Sequence, residues 1–233
     1  MGRAIEEIQK THPAVNIGAV GLGAGTLAAY ARPSDTIDFW DIDPKAIRIA
    51  RDFFTFVPDS RGKIHIQQSD GRKGLEASST DYDLIVIDAF CGDAIPPHLL
   101  TREALATYFK RLEKRQGILV IHTSNRYSTL FPIVAATAHT MRWSTLNVFT
   151  EISQTTSDRD WDADGRVSQY LLLCRPTQVK LVASWLPAEE DNGRVKRTVT
   201  PYDPLPPGRA VVWTDDRHAA LDALDLRRYL LGK

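Results

Sequence analysis

Two hydrophobic periods alternate along most of the chain. Compact apolar runs, which are typical of strands, lie at residues 16–20, 36–40, 64–68, 84–87 and 118–122. Between these runs, apolar residues recur at helical spacing in residues 26–30, 43–54, 73–77, 101–112 and 130–141. Strands that alternate with helices predict an α/β fold built on a parallel sheet. The unbroken apolar run 84–87 predicts a central strand that is buried on both faces.

The rest of the chain carries weaker signals. Residues 146–152 and 169–174 predict an antiparallel pair of strands around a polar loop. Residues 179–186 and 220–231 favour helices, and residues 201–208 form an irregular proline-rich stretch. We therefore expect an N-terminal helix or remnant over 1–15, one α/β domain over 16–176, and a C-terminal helical appendage of the same domain over 177–233.

Composition narrows the class of protein. The 233 residues, 43% of them hydrophobic, can bury a full core. Lysine plus arginine number 29 and aspartate plus glutamate number 29, so charge gives no bias toward nucleic acid or an anionic membrane. Cys91 and Cys174 are too few for a disulfide framework, and no apolar run approaches the length of about 20 residues that a membrane helix needs. These features favour a cytoplasmic protein.

Glycines crowd the turn after the first predicted strand, in the order Gly21-Leu22-Gly23-Ala24-Gly25. Gly21, Gly23 and Gly25 would let the backbone turn tightly and approach a ligand. Asp41 ends the second predicted strand about 20 residues later, where an acidic side chain can accept hydrogen bonds from both ribose hydroxyls of an adenosine ligand. The alternative is that Asp41 or Asp43 only caps the next helix. We assign the cap to Asp43 and the ligand contact to Asp41.

Acidic residues also follow the next two predicted strands. Asp70 and Gly71 come after the third strand, and Asp88 and Asp93 come after the fourth. Because the carboxyl ends of parallel strands meet at one edge of a sheet, we expect these carboxylates to share a rim with Asp41. Asp88 ends an apolar strand, so it should be partly desolvated and act strongly on a nearby cation.

Two histidines near this rim have no cysteine, histidine or carboxylate beside them at the spacing of metal ligands. We therefore predict no metal site, and interpret His98 and His122 as rim or structural residues.

These motifs resemble the spermidine synthase family of aminopropyltransferases. The resemblance rests on the glycine turn, on Asp41-Ile42-Asp43-Pro44, on Asp70-Gly71-Arg72 and on residues 82–88. Residues 95–103, 122–127 and 214–216 are similar to motifs of the branch related to transporter-fused spermidine synthase-like proteins. The family implies a Rossmann-like, doubly wound and mostly parallel sheet of the S-adenosylmethionine-dependent methyltransferase type.

The resemblance also implies a reaction. An amine of a polyamine attacks the methylene carbon next to the sulfonium of decarboxylated S-adenosylmethionine, and methylthioadenosine leaves. Asp88 would orient this amine and accept its proton, and Asp93 would help to bind it. Ala24 stands where the synthases carry an aspartate that holds the aminopropyl ammonium. The residues that would bind the adenosyl ligand are Gly21, Gly23, Gly25, Asp41, Asp70 and Gly71. Asp41 would contact the ribose, and Asp70 with Gly71 would contact the adenine.

Two other functions stay open at this point. A methyltransferase that uses intact S-adenosylmethionine would be served equally well by the same sheet and by Asp41. The third possibility is a non-catalytic ligand-sensing domain of a larger, membrane-linked protein. We expect no tightly bound cofactor, since S-adenosylmethionine or its decarboxylated form would be a co-substrate. The expected partner is a polyamine or another small amine, without nucleic acid or membrane contact by this chain; a homodimer is left open.

Overall fold

The computed structural model describes residues 1–90, 95–124, 129–152, 166–186, 189–191, 195–201 and 211–218. The chain divides into two compact units. The first comprises Met1–Ile121 with Trp213–His218, and the second comprises His122–Val212 with Ala219–Lys233. Within the described residues, every helix is too short or too polar to cross a membrane.

Parallel strands form the sheet of the first unit. Their spatial order is β3-β2-β1-β4-β5, and their bounds are β1 Asn16–Val20, β2 Thr36–Asp41, β3 Lys63–Gln68, β4 Leu84–Ile87 and β5 Ile118–His122. β1 is central, because Ile17 lies opposite Ile37 of β2 on one side and Leu84 of β4 on the other. The chain runs outward from β1 to β3 and then returns to β4. This reversal of direction is a topological switch point at the carboxyl ends of β1 and β4, the place where open α/β sheets generally bind their ligands.

Helices connect these strands. They are α2 Pro44–Phe53, α3 Gly71–Ala77 and α4 Arg102–Leu112, with a short 3-10 helix over Thr26–Tyr30, and α1 Gly2–Thr11 precedes β1. Side chains cap α2 and α4, and the cap predicted at Asp43 is confirmed. The Asp43 carboxylate accepts a hydrogen bond from the Lys45 amide at the start of α2, and the Thr101 hydroxyl accepts one from the Ala104 amide at the start of α4.

The core of the first unit lies on β4 and its neighbours. Leu84, Ile85, Val86 and Ile87 are all 0% exposed, which confirms the prediction of a central strand buried on both faces. The mostly parallel α/β arrangement expected from the alternation of strands and helices is confirmed as well.

The second unit contains an antiparallel sheet. Its elements are α5 Phe131–Thr140, β6 Ser144–Ile152, β7 Arg166–Cys174, α6 Val179–Ser184, β8 Glu189–Asp191 and β9 Val195–Pro201. The strands follow the order β7-β6-β9-β8. β6 pairs with β7 over its whole length, as expected from the sequence. Cys174 at the end of β7 is buried, and burial raises the pKa of its thiol to about 12.

The helical appendage expected over 177–233 stays a prediction, and the described part of that region contains strands as well as helix. A 3-10 turn over Pro176–Gln178 leads into α6, and β9 pairs antiparallel with β6 through residues such as Val199, which lies opposite Val148. The alternation in β9 is weak, since polar residues surround its valines, and the partner strand that stabilises it lies far away in sequence. Residues on both sides of position 176 thus share one sheet. The helix predicted at 220–231 lies outside the described residues, as does the polar loop predicted at 153–166 except for Arg166, which begins β7.

Candidate functional site

The turn after β1 carries three glycines in left-handed backbone conformations. Gly21, Gly23 and Gly25 have φ angles of 93°, 53° and 80°, which other residues adopt only with strain. A Cβ atom at Gly21 would collide with the backbone carbonyl oxygen of Asp88. At Gly23, by contrast, a Cβ atom would meet no heavy atom within 4 Å. The glycine loop therefore packs tightly against the end of β4 at one glycine and presents open backbone at the next.

Asp41 is hydrogen-bonded to the glycine loop. Its Oδ2 accepts a hydrogen bond of 2.8 Å from the Leu22 amide, and its Oδ1 accepts one of 2.9 Å from the Asp43 amide. The carboxylate is thereby fixed at the end of β2 while its residue stays half-buried. Because Asp43 supplies the cap of α2, Asp41 is not needed there.

Asp70 links the start of α3 to the segment before α4. Its Oδ1 accepts a hydrogen bond of 3.0 Å from the Lys73 amide, and its Oδ2 lies 2.8 Å from Nε2 of His98. Burial alone would raise the pKa of Asp70, but the hydrogen bonds from Lys73 and His98 outweigh it and hold the pKa below its usual range. At neutral pH Asp70 is therefore an anion that only accepts hydrogen bonds.

Gly71 explains how α3 comes so close to the end of β1. A Cβ atom at this position would collide with the side chain of Val20, the last residue of β1. Only a glycine lets the first turn of α3 rest on this strand, which keeps Asp70 beside the glycine loop at the carboxyl edge of the sheet.

Asp88 follows β4 and is half-buried. Its amide donates a hydrogen bond of 2.9 Å to the carbonyl of Val20, which continues the pairing of β4 with β1 beyond the strand. Phe90, two residues later, is 38% exposed. Asp93, predicted to bind the acceptor, lies outside the described residues.

The four strand ends form one continuous rim. Asp41 is joined to the glycine loop through Leu22, and its backbone carbonyl accepts a hydrogen bond of 3.0 Å from the Ser69 amide at the end of β3. Asp88 is joined to the loop through its contact with Gly21. The structure therefore brings the described candidate residues at the ends of β1, β2, β3 and β4 to one edge of the sheet.

Sequence reasoning missed an ion pair beside this rim. Arg72, the second residue of α3, makes two hydrogen bonds of 2.7 and 2.6 Å to the carboxylate of Asp215. The motif at residues 214–216 was noted in the sequence, but nothing in the local pattern joined it to Arg72. The interpretation of His98 as a rim residue agrees with its contact to Asp70.

His122 belongs to the second unit. Its ring stacks on Tyr170, with 4.4 Å between the ring centroids, and its Nε2 lies 2.8 Å from Oγ of Ser124. The same hydroxyl accepts a hydrogen bond of 2.7 Å from the Gln169 amide. These contacts agree with a structural role for His122. Across the described ranges of both units, no group of three or more histidine, cysteine or acidic residues could hold a metal ion.

Comparison with known proteins supports the resemblance seen in the motifs. No family model matches the chain. A polyamine aminopropyltransferase of Vibrio vulnificus (strain CMCP6) is 36% identical over 110 residues, which make up 45% of this chain and 36% of that protein. The chain is similar to the aminopropyltransferases. It spans about a third of the length of this relative, and the relation to transporter-fused proteins stays a prediction.

Solved structures show the same fold. A probable spermidine synthase from Corynebacterium glutamicum ATCC 13032 has a TM-score of 0.59 at 19% identity, and the match covers 86% of this chain and 74% of that one. Human methyltransferase-like protein 13 in complex with SAH has a TM-score of 0.51 at 18% identity, covering 82% and 95%. The chain thus has the Rossmann-like fold shared by aminopropyl- and methyltransferases.

Proposed function

We propose that the first unit binds the adenosine part of an S-adenosyl ligand at the carboxyl ends of β1 to β4. The observation that carries this proposal is the hydrogen bond from the Leu22 amide to Asp41. It holds a carboxylate directly against the open backbone of the glycine loop. A carboxylate in this position can accept hydrogen bonds from both hydroxyls of a ribose that lies over the loop.

The segment after the glycine loop argues against a dinucleotide. A pyrophosphate is bound by free backbone amides at the start of a helix. Here the glycine loop leads into a five-residue 3-10 helix, Thr26–Tyr30, and the Leu22 amide of the loop is already bonded to Asp41. The site therefore favours a nucleoside without phosphates, which is the form that adenosine takes in S-adenosyl ligands.

The surroundings suit an adenine ring. Ile42 follows Asp41 and is 71% exposed, so it offers an apolar surface beside the ribose position. Asp70 is an anion that can accept a hydrogen bond from the exocyclic amino group of adenine. We assign the ribose to Asp41 and the adenine to Ile42, Asp70 and Gly71. The backbone of the glycine loop is the surface over which the ligand lies.

For the reaction we propose aminopropyl transfer to a polyamine amine. The nitrogen lone pair forms a bond to the methylene carbon, the carbon–sulfur bond breaks, and the sulfonium becomes the neutral thioether of methylthioadenosine. Asp88 orients the incoming amine and accepts the proton that it loses. The support is its position: Asp88 ends β4 against Gly21, on the side of the glycine loop away from Asp41. Asp93 stays a prediction for binding the acceptor.

Calorimetric titration of the whole chain tests the proposal. Methylthioadenosine, S-adenosylmethionine and decarboxylated S-adenosylmethionine are titrated side by side, with NAD as the dinucleotide control. We expect binding of the adenosyl ligands and none of NAD. A chain that binds NAD, or that binds none of the adenosyl ligands, would contradict the assignment. Release of methylthioadenosine in the presence of putrescine or spermidine then tests the transfer step.

A methyltransferase is the second candidate function, and Ala24 is the residue that favours it. A methyl in place of a carboxylate removes the group that would hold the aminopropyl ammonium and repel the α-carboxylate of intact S-adenosylmethionine. Assays with S-adenosylmethionine in the absence of its decarboxylated form separate the two reactions, because methyl transfer yields S-adenosylhomocysteine instead of methylthioadenosine.

A further inference from the structure

A segment from the far end of the sequence completes the rim of the first unit. Trp213 is 1% exposed, and its backbone carbonyl accepts a hydrogen bond of 2.8 Å from the Arg102 amide at the start of α4. Two hydrogen bonds between Thr214 and Arg217 close a tight turn behind it. This turn projects Asp215 toward α3.

Asp215 is held from three directions. Its carboxylate accepts both hydrogen bonds from the Arg72 guanidinium and one of 2.8 Å from the Thr101 hydroxyl. Its amide donates a hydrogen bond of 3.0 Å to the Glu103 carboxylate. The Arg72 guanidinium lowers the pKa of Asp215 to about 2, and the same contact raises the pKa of Arg72. The pair is therefore ionised at any pH at which the enzyme would work.

Arg72 connects Asp215 to the proposed adenosine site. Its Nη1 also donates a hydrogen bond of 3.3 Å to the backbone carbonyl of His98. The imidazole of His98 in turn contacts Oδ2 of Asp70. The result is a continuous relay from Asp215 through Arg72 and His98 to the carboxylate that we assign to adenine.

We propose that Asp215 and Arg72 are positioning residues for adenosine binding. Asp215 fixes the guanidinium, the guanidinium fixes the backbone at His98, and His98 sets the orientation of Asp70. This inference rests on the proposed function.

Stability is a weaker explanation of the ion pair. The Asp215 side chain is 43% exposed, and ion pairs at such positions contribute little to the stability of a fold. The helix that carries Arg72 is anchored independently, because Leu75 is 0% exposed and Gly74 lies directly against Trp40. The two parallel hydrogen bonds instead fix the orientation of the Arg72 guanidinium relative to the Asp215 carboxylate.

Methylthioadenosine affinity measured by calorimetry tests the proposal. Asp215→Asn and Arg72→Lys are compared with Asp216→Asn, which changes the same charge at the neighbouring exposed position. Arg72→Lys keeps the positive charge but cannot make two parallel hydrogen bonds to Asp215. It therefore tests the proposal even if Asp215→Asn folds poorly. We expect about tenfold weaker binding for both relay variants and an unchanged affinity for Asp216→Asn.

A double-mutant cycle separates positioning from general loosening. In an Asp70→Asn background the relay has no carboxylate to orient, so Asp215→Asn should weaken binding by less than about twofold there. Losses that simply add would show a merely structural role and overturn the proposal, as would relay variants that bind methylthioadenosine like the wild type. If the wild type itself binds no adenosyl ligand, the proposed function fails first and this inference fails with it.

Discussion

Aspartates stand at both edges of the parallel sheet, but in opposite surroundings. At the amino edge, Asp35 precedes β2 and Asp83 precedes β4, and they are 0% and 2% exposed. At the carboxyl edge, Asp41, Asp70 and Asp88 are half-buried. Each edge binds backbone amides through carboxylates, so the difference lies in what else each carboxylate touches.

The amino-edge aspartates are paired with arginines. Asp35 accepts a hydrogen bond of 2.9 Å from the Val15 amide and is paired with Arg32, and Asp83 accepts one of 2.7 Å from the Asn16 amide and is paired with Arg115. A buried carboxylate needs such compensation, since desolvation alone would neutralise it. These two aspartates fasten the start of β1 to its neighbouring strands.

The carboxyl-edge aspartates keep part of their surface exposed. Asp41 takes hydrogen bonds from two backbone amides, and Asp70 takes them from one amide and His98. Amides fix the direction of a carboxylate without cancelling its charge. The comparison teaches that burial and an arginine partner mark the structural acids of this sheet, whereas partial exposure at the switch point marks the candidate ligand acids.

The largest expected effect is on stability and falls on the amino edge. Asp35→Ala leaves Arg32 and the Val15 amide without their acceptor, and should reduce the free energy of unfolding by about 3 kcal/mol or more. Urea denaturation measures the loss, with the exposed Asp52→Ala as the control. The affinity of the folded variant for methylthioadenosine should not change. A weaker ligand affinity in folded Asp35→Ala would break the distinction between the two edges.

The pH dependence of stability is a second test of Asp35, and its direction follows from the shift of the Asp35 pKa. Burial would raise the pKa of Asp35, but hydrogen bonds from Arg32, Val15 and Gln9 outweigh it and lower the pKa. A carboxylate with a lowered pKa stabilises the fold above its unfolded pKa of about 4, and the contribution is lost as the pH falls through the folded value. Below about pH 4, the free energy of unfolding of Asp35→Ala should therefore fall less steeply with decreasing pH than that of the wild type.

The next effect is on turnover and falls on the carboxyl edge. Asp88→Asn keeps the shape of the side chain and removes the proposed base, so transferase activity should fall by about a hundredfold or more. Methylthioadenosine affinity should change little, because Asp88 is assigned to the acceptor amine. Unaltered turnover in this variant would end the proposed role, and a large loss of affinity would move Asp88 into the adenosine site.

The strand and helix pattern was enough to predict the sheet of the first unit and its acidic rim. The runs that became β4 and β5 were bounded correctly, because a strand buried on both faces is apolar throughout. Asp41, Asp70 and Asp88 could be placed together since parallel strands direct their carboxyl ends to one edge. The partner of Arg72 could not be predicted: Asp215 lies 143 residues away, and no local periodicity encodes such a contact.

A smaller loss of affinity is expected at the ribose position. Asp41→Ala should weaken methylthioadenosine binding by about 1 to 3 kcal/mol, because the ribose hydroxyls and the Leu22 amide lose their acceptor. Asp43→Ala is the matched control, since it removes the cap of α2 at a distance of two residues. It should lower stability without changing the affinity. Equal affinity of Asp41→Ala and the wild type would make Asp41 a second structural acid.

The smallest predicted effect concerns the choice between the two donors at the glycine loop, where Ala24 replaces the aspartate that the resemblance implies. Such an aspartate would attract the donor ammonium and repel the α-carboxylate of intact S-adenosylmethionine, so its absence removes both contributions to discrimination. We expect the wild type to bind the two donors within about tenfold of each other, and to transfer aminopropyl groups weakly. Ala24→Asp should shift the ratio of affinities toward the decarboxylated donor, while Ala24→Asn, of similar size and without charge, should leave it unchanged. Competition calorimetry with both donors measures the ratio. A wild type that already prefers the decarboxylated donor by about a hundredfold would show that other residues discriminate between the donors, and would favour aminopropyl transfer over methyl transfer.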